Sequence, residues 1–461
     1  MSTADRRLRP APADRRRSTW TARVGTAPSR RAMLLLSAVA AGALSGCGQL
    51  WEKHDIGGTV LSSEQTRTEV PLAEAPDPEA AVDACNALGA ALLSAQLADG
   101  SHANALASPA SLALNLATAS LGATDPASQG LNSLLGAADE EARNTTWSAI
   151  QTALLAHDGD VSRFDPEDKA PKNPLLHVAD QMVIIDRNGR SEIDQGFIDG
   201  VRHWFSADLR RVDADQAQDA LDAWVDRNTA GLIESSALKA DRTQVALQNV
   251  VLFAAQWKKL FDEKNSDEAD FTRADGGVTR VQMMTQTSAM ACTEGRTDSV
   301  TWKVLRVPYS GSFILDLVLP QKGSLPEELP AGTWAAASAL LDEAEAEGIF
   351  PQVNLSMPRI DLSTPADGVD ILPVLDSLGA DIRPMGRVNP VFETIAYQQQ
   401  VRLIVREDGT VAAAVSKHGD GVTAPNPGPT TDFRIDHPYV MRLRDLSTGV
   451  ALFEAVINNP S

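Results

Sequence analysis

Glu407-Asp408-Gly409-Thr410-Val411-Ala412-Ala413-Ala414-Val415-Ser416, then a polar segment rich in Gly and Pro, then Asp436-His437-Pro438-Tyr439, is the stretch on which the reading of this 461-residue chain turns. Thr410 to Ser416 are small or β-branched, as a strand requires when it must fit between close neighbours. Gly409 before them and Gly419 to Pro429 after them are loop composition. A segment able to form a strand therefore ends in a loop. The plainer reading of residues 409–421, a polar surface loop and nothing more, uses the same residues.

The amino terminus reads as an address. Residues 1–31 are rich in Arg and nearly free of acid, Met33 to Ala43 form a short apolar run, and Leu44-Ser45-Gly46-Cys47 closes it with small residues. The run is too short to span a bilayer as a helix and fits an export signal over 1–46. Ser29-Arg30-Arg31 is of the twin-arginine type. Leu44 to Cys47 is of the lipobox type, in which Cys47 becomes the lipid anchor. An uncleaved anchor or an ordinary secretory signal are the other readings. Up to Gly46 there are 9 Arg and 2 acids, so the remainder holds 41 − 9 = 32 bases against 61 − 2 = 59 acids, a formal charge of −27. Such a surface repels phosphate, and nucleic acid is not an expected partner. Cys85 and Cys292 are left, and whether they pair stays open.

Residues 47–78 contain Pro71, Pro76 and Pro78 among polar side chains and read as a tether. One globular domain is expected over 79–461. Val82, Cys85, Leu88, Leu92 and Ala95 then recur at helical spacing. Ser108-Pro109-Ala110-Ser111 reads as a Ser cap on an Ala- and Leu-rich buried helix that ends at Gly122. Residues 157–174 look like an insertion in a surface loop. Val178 to Ile185 has a strand pattern, and Phe197 to Phe205 a short amphipathic helix. Leu221 to Ile233 reads as a helix that Gly231 stops in the left-handed conformation. Val245 to Phe253 is an apolar run of strand length, expected to be covered on both faces. Trp334 to Glu347 is helical with a solvated acidic face, Val353 to Leu362 alternates as a strand, and Gly449 to Pro460 reads as a buried terminal strand.

Taken together, Glu407-x-Gly409-Thr410-x-Ala412-Ala413-Ala414 with Asp436-His437-Pro438-Tyr439 resembles the hinge and reactive loop of the serpin family. Ser108-Pro109-x-Ser111, Trp224-Val225 with Thr229-x-Gly231-x-Ile233, and Asn249 with Phe253 and Trp257 resemble that family's motifs in the family's order. So do Val307-Pro308-Tyr309, Met357-Pro358-Arg359 and Leu378-Gly379. The resemblance covers residues of about 80 to 460. It implies an α+β fold with a large central mixed β-sheet, flanking helices and an exposed reactive-centre loop. It also implies a monomer without cofactor or metal that traps a serine protease: the protease cuts the loop, an acyl-enzyme forms, and the cut loop inserts as a new central strand.

The resemblance assigns roles residue by residue. Glu407, Gly409, Thr410, Ala412, Ala413 and Ala414 form the hinge, with Thr410, Ala412, Ala414 and Ser416 turning inward. The same alternation carries His418 and Asp420 inward, where an imidazole and a carboxylate would slow late insertion. Ser108, Ser111, Asn249 and Gln399 form the cluster that lets the sheet open, with Gln399-Gln400 where the family has His-Lys. Arg359 and Glu407 pair where the loop first enters. Proline after a bond blocks most serine proteases, so Thr423-Ala424 is the expected reactive bond and Val422-Thr423 the second choice. With no Arg or Lys there, an elastase-like or subtilisin-like protease is the expected target. No Gly-x-Ser-x-Gly, His-Glu-x-x-His or phosphate-loop pattern occurs, which argues against an enzyme. A serpin-fold protein that acts as a protease substrate or a binding module is the alternative.

Overall fold

The computed structural model describes residues 56–461 except 190, 191, 298, 299, 331, 384, 391, 393, 394 and 411–429. Cys47, Ala412, Ala413, Ala414, His418, Asp420, Val422, Thr423 and Ala424 lie outside the described residues.

Helix α1 (Pro78–Leu97) starts where Asp77 accepts a hydrogen bond from the Ala80 amide and proline occupies the first turn. The strongly apolar α2 (Pro109–Ser120) is buried along its whole length. Around these lie α3 (Ala127–Leu134), α4 (Glu140–Leu155), α5 (Gln195–Trp204), α6 (Ala217–Asn228), α7 (Thr333–Ala346) and the short α8 (Leu372–Ser377). Helix α6 ends at Asn228, earlier than the sequence suggests. Gly231, at φ +79°, then bonds its amide to the Asp226 carbonyl as a left-handed stop.

Three sheets are formed among the described residues. The first runs β1 (Thr59–Val60), β4 (Asp208–Asp213), β3 (Leu175–Asp186), β5 (Val245–Gln256), β16 (Gly409–Thr410), β15 (Arg402–Arg406), β12 (Ile360–Ser363). Strand β14 (Ile395–Gln399) also pairs with β5, and β13 (Val369–Asp370) with β14. The second runs β2 (Ala105–Ala107), β19 (Ala451–Ile457), β18 (Tyr439–Asp445), β10 (Phe313–Pro320), β9 (Val300–Pro308), β8 (Cys292–Thr297). The third runs β17 (Thr431–Arg434), β11 (Gln352–Pro358), β7 (Val278–Ala289), β6 (Asp267–Thr272). The core fills the space between the first two sheets. Helix α2 packs there on β5 from one side and β19 from the other.

Two expectations change. Val353 to Leu362 is not one strand: Pro358 ends β11 in the third sheet, and after Arg359 the chain joins the first sheet as β12. A proline cannot donate to a ladder, so the switch falls where the sequence permits it. From Ile56 onward the stretch read as a tether lies against the domain, because Ile56 and Val70 are buried and β1 adds an antiparallel edge to β4. Ile56 packs with Trp224, Val225 and Val250. Cys85 and Cys292 are both free thiols, Cys85 buried in the core and Cys292 at the start of β8.

The second sheet buries charge in pairs. Arg442 Nε lies 2.6 Å from Glu454, and its other nitrogens donate to Ser338 Oγ and Asn86 Oδ1. Arg306 grips both oxygens of Asp316 at 2.7 and 2.9 Å. Paired in this way, these groups fix α1 and α7 on the sheet without leaving a lone buried cation.

Candidate functional site: a strand-wide opening in the central sheet

Strands β5 and β14 are paired in parallel at one end, from Ile395 opposite Val245 to Tyr397 opposite Leu247. Beyond Tyr397 they part. A cleft opens between them, lined by Val250, Leu252 and Phe253 on β5, Arg402 and Leu403 on β15, and Ile233 from the turn after α6.

At the far end of that cleft the chain turns back on itself. Arg406, Glu407, Asp408 and Gly409 make a tight reversal, and β16 runs antiparallel to both neighbours: Gly409 sits opposite Gln256 and Arg406, Thr410 opposite Ala255 and Val405. The first residues of the predicted hinge therefore already occupy a strand position between β5 and β15. A side chain at Gly409 would collide with the Ala255 carbonyl, so glycine is required by close backbone approach.

Each surrounding side chain holds this reversal. Thr410 is buried facing the core, as its parity predicts, and its Oγ1 lies 2.6 Å from the Tyr309 hydroxyl. Tyr309 stacks on Trp257 with ring centroids 4.2 Å apart, and Trp257 Nε1 donates to the Arg406 carbonyl. Burial pushes the Tyr309 phenol well above its usual range, so it stays a neutral donor or acceptor. Glu407 is buried; its Oε1 accepts from Arg359 Nε at 2.7 Å and from Ser266 Oγ at 2.5 Å. The predicted Arg359–Glu407 pair is thus formed. Asp408 accepts from the Ala170 amide in the loop spanning 157–174.

The predicted opening cluster is brought together differently. Gln399 exchanges two bonds with the Ser108 backbone, accepting from its amide at 2.9 Å and donating to its carbonyl at 3.0 Å. Asn249 Nδ2 donates to the Ser111 carbonyl at 2.8 Å. Ser108 stands at the helix start but does not cap it with its side chain; its Oγ donates to the Leu452 carbonyl instead, tying α2 to β19. The Ser111 hydroxyl has no protein partner. The two pairs anchor β14 and β5 separately to α2, one on each side of the line along which the strands part. At the loop's other end, His437 is held between Asp436 Oδ1 and the Pro320 carbonyl, each at 2.8 Å.

Sequence reasoning passed over Tyr309, Trp257 and Ser266 as members of the site, and it passed over Asp180 beneath the sheet. Ser266 gave no local signal, Trp257 and Tyr309 were read only as members of the family's motifs, and all three meet the hinge only through the fold. Asp180 did give one: an acid inside an otherwise apolar strand.

A model of the serpin (serine protease inhibitor) family matches residues 83–460. The chain belongs to the serpin family. Among its relatives, Iripin-3 of Ixodes ricinus is 27% identical over 404 residues, covering 84% of this chain and 97% of that protein. Glia-derived nexin of Homo sapiens is 26% identical over 284 residues, 59% of this chain and 70% of its own length. The solved structure of thyroxine-binding globulin with thyroxine superposes with a TM-score of 0.66 at 19% identity, over 83% of this chain and 99% of that one. As a serpin, this protein has its expected fold.

Proposed function

We propose that this serpin is an exported, lipid-anchored inhibitor that traps a serine protease by strand insertion. The observation that carries the reading is β16, with Gly409 and Thr410 hydrogen-bonded between β5 and β15 at the mouth of an open cleft. In the proposed sequence, the protease serine attacks the carbonyl of Thr423 and forms an ester while the Ala424 amine leaves with a proton. The freed strand then follows Thr410 into the cleft and carries the acylated protease with it. Ala412, Ala414 and Ser416 are small enough to pass beneath β5 and β15. The target is of elastase-like or subtilisin-like specificity, and the site of action is outside the membrane.

Incubation with a subtilisin-like or elastase-like protease should give a complex that survives boiling in detergent, and a released fragment beginning at Ala424 or Thr423. Clean cleavage without a complex would refute trapping and favour the second reading, a substrate or binding module. His418 and Asp420 on the inward parity support that second reading, and thyroxine-binding globulin shows that this fold also carries a ligand-bound member. The anchor has its own test: Cys47→Ala should abolish lipidation and membrane retention, and unchanged retention would remove the lipoprotein claim.

A further inference from the structure

Directly under β5, the face of the first sheet that meets α2 holds an unusual set of polar groups. Asp180 on β3 stands opposite Asn249 on β5, and both are buried. Asp180 Oδ1 accepts from Asn115 Nδ2 of α2 at 3.2 Å. Its second oxygen has no protein partner, and neither do Asn115 Oδ1, Asn249 Oδ1 or Ser111 Oγ. Three of these four are pure acceptors, so the cluster is rich in acceptors and short of donors. A proton on Asp180 supplies a donor to this set, while a carboxylate adds one more acceptor.

Among the described residues no cation faces Asp180. Helix α2 and strand β5 carry no acidic, basic or histidine side chain, and neither does β14, from which Tyr397 faces the carboxyl. The Tyr397 hydroxyl donates to the Leu112 carbonyl. On β4 the nearest charge, Asp208, is opposite Gln181, hence on the other face of the sheet, and is paired with Arg210. The charged residues of α4, which also packs on β3, are Glu140, Glu141 and Arg143 in its first turn; Arg143 is engaged by Asn132 and Asn144. On β3 itself His177 is turned to the opposite face, toward Asp158 and Asn228.

We propose that Asp180 is held as the neutral acid beneath the closed sheet, and that its proton latches β3 and β5 onto α2, so that losing it eases the opening of the sheet. The inference rests on reading the β5–β15 cleft as the insertion path. Burial raises the carboxyl from 3.8 to about 7, against the hydrogen bond from Asn115. The sign follows from linkage. An acid raised by burial favours the closed form fully below 3.8, and that advantage is gone once the pH has passed about 7. Near neutrality the proton is half bound in the closed form, and most of its advantage has already been lost.

The test uses the intact chain and no protease. Infrared spectroscopy of the wild type should show the C=O stretch of a buried protonated carboxylic acid that titrates near pH 7 and is missing in Asp180→Asn. Hydrogen exchange of the amides at 111–115 and 248–250, corrected for the chemical rate, should speed up roughly thirtyfold between about pH 5.5 and 8.5 where opening exposes the carboxyl. In Asp180→Asn, which keeps the shape and carries permanent donors, exchange should stay at the low-pH level throughout. An equal rise in wild type and variant would overturn the latch. Should the variant fail to fold, the wild-type infrared titration decides alone: no protonated carboxyl at about pH 5.5 also overturns it. A flat variant profile in a protein that never traps protease would instead leave the latch standing and sink the insertion reading.

Discussion

Thr410 is the first inward-facing residue of the proposed insertion path, and Thr410→Arg is the perturbation to make. In the intact protein Thr410 is 1% exposed and shares a 2.6 Å hydrogen bond with Tyr309. Removing the hydroxyl leaves a buried phenol without its partner, at a cost of about 1–3 kcal/mol. The larger effect is the guanidinium itself. Glu407 is already engaged by Arg359 and Ser266, and Asp408 accepts from Ala170, so among the described residues no free carboxylate waits inside the cleft mouth. Desolvating an unpaired guanidinium costs several kcal/mol more. A combined penalty of about 4 kcal/mol shifts the hinge roughly a thousandfold toward the expelled state, since each 1.4 kcal/mol is a factor of ten. Insertion then loses its race against hydrolysis of the acyl-enzyme. Denaturing electrophoresis after protease addition should show the variant cleaved but not complexed, while Thr410→Ser, which keeps the hydroxyl, should still trap. The cleaved arginine variant should also lack the rise in melting temperature that a completed sheet gives. Trapping by Thr410→Arg at the wild-type level would refute the insertion argument outright.

Two further outcomes follow from the buried charges. Arg442→Ala strands Glu454, whose Oε2 already lacks a partner, and should lower stability by about 3–5 kcal/mol in denaturant unfolding of the intact protein; a loss under about 1 kcal/mol would mean that the pair contributes little. His177 gives a pH signature. Burial opposes its charge, but the bonds to Asp158 and Asn228 prevail and raise its pKa above 6.5. A raised histidine stabilises fully below its unfolded value and loses that contribution as the pH rises through the folded one. The gap in urea midpoint between wild type and His177→Gln should be widest below pH 6.5 and shrink as the pH rises above it; a gap independent of pH would contradict it.

How much of this was legible in the sequence depends on the range of each interaction. Helices α2 and α6, strand β5 and the terminal β19 could be read because their apolar patterns and the stop at Gly231 are local. The Arg359–Glu407 pair was legible only through the resemblance, since 48 positions separate its members. Of the tether expected over 47–78, the described part from Ile56 lies against the domain: Pro and acidic residues mark a segment without its own core, yet Ile56 and Val70 borrow the core of the domain. Ser108 was misread as a cap because the capping signal is the residue type alone, whereas the Leu452 carbonyl competes for its hydroxyl only after β19 has packed on α2.

The same contrast bears on how a stable domain can keep a strand position unfilled. Everything that makes the first sheet durable lies to one side of the cleft or the other: the long β3–β5 ladder and the Asn249–Ser111 bond on one side, the Gln399–Ser108 exchange and the β12–β15 ladder on the other. Among the described residues, what crosses it is the short β14–β5 ladder from Ile395 to Tyr397, the two residues of β16, and at the far end the bonds from the Trp257 and Phe261 amides to the Asp408 and Glu407 carbonyls. Parting β5 from β14 therefore breaks few backbone bonds, and a strand continuing from Thr410 would replace them with a full ladder on both edges. What resists that motion is the polar contact between α2 and the two strands, Asn115 with Asp180 and Asn249 with Ser111, and a contact made of so few bonds is one that a single proton can tip.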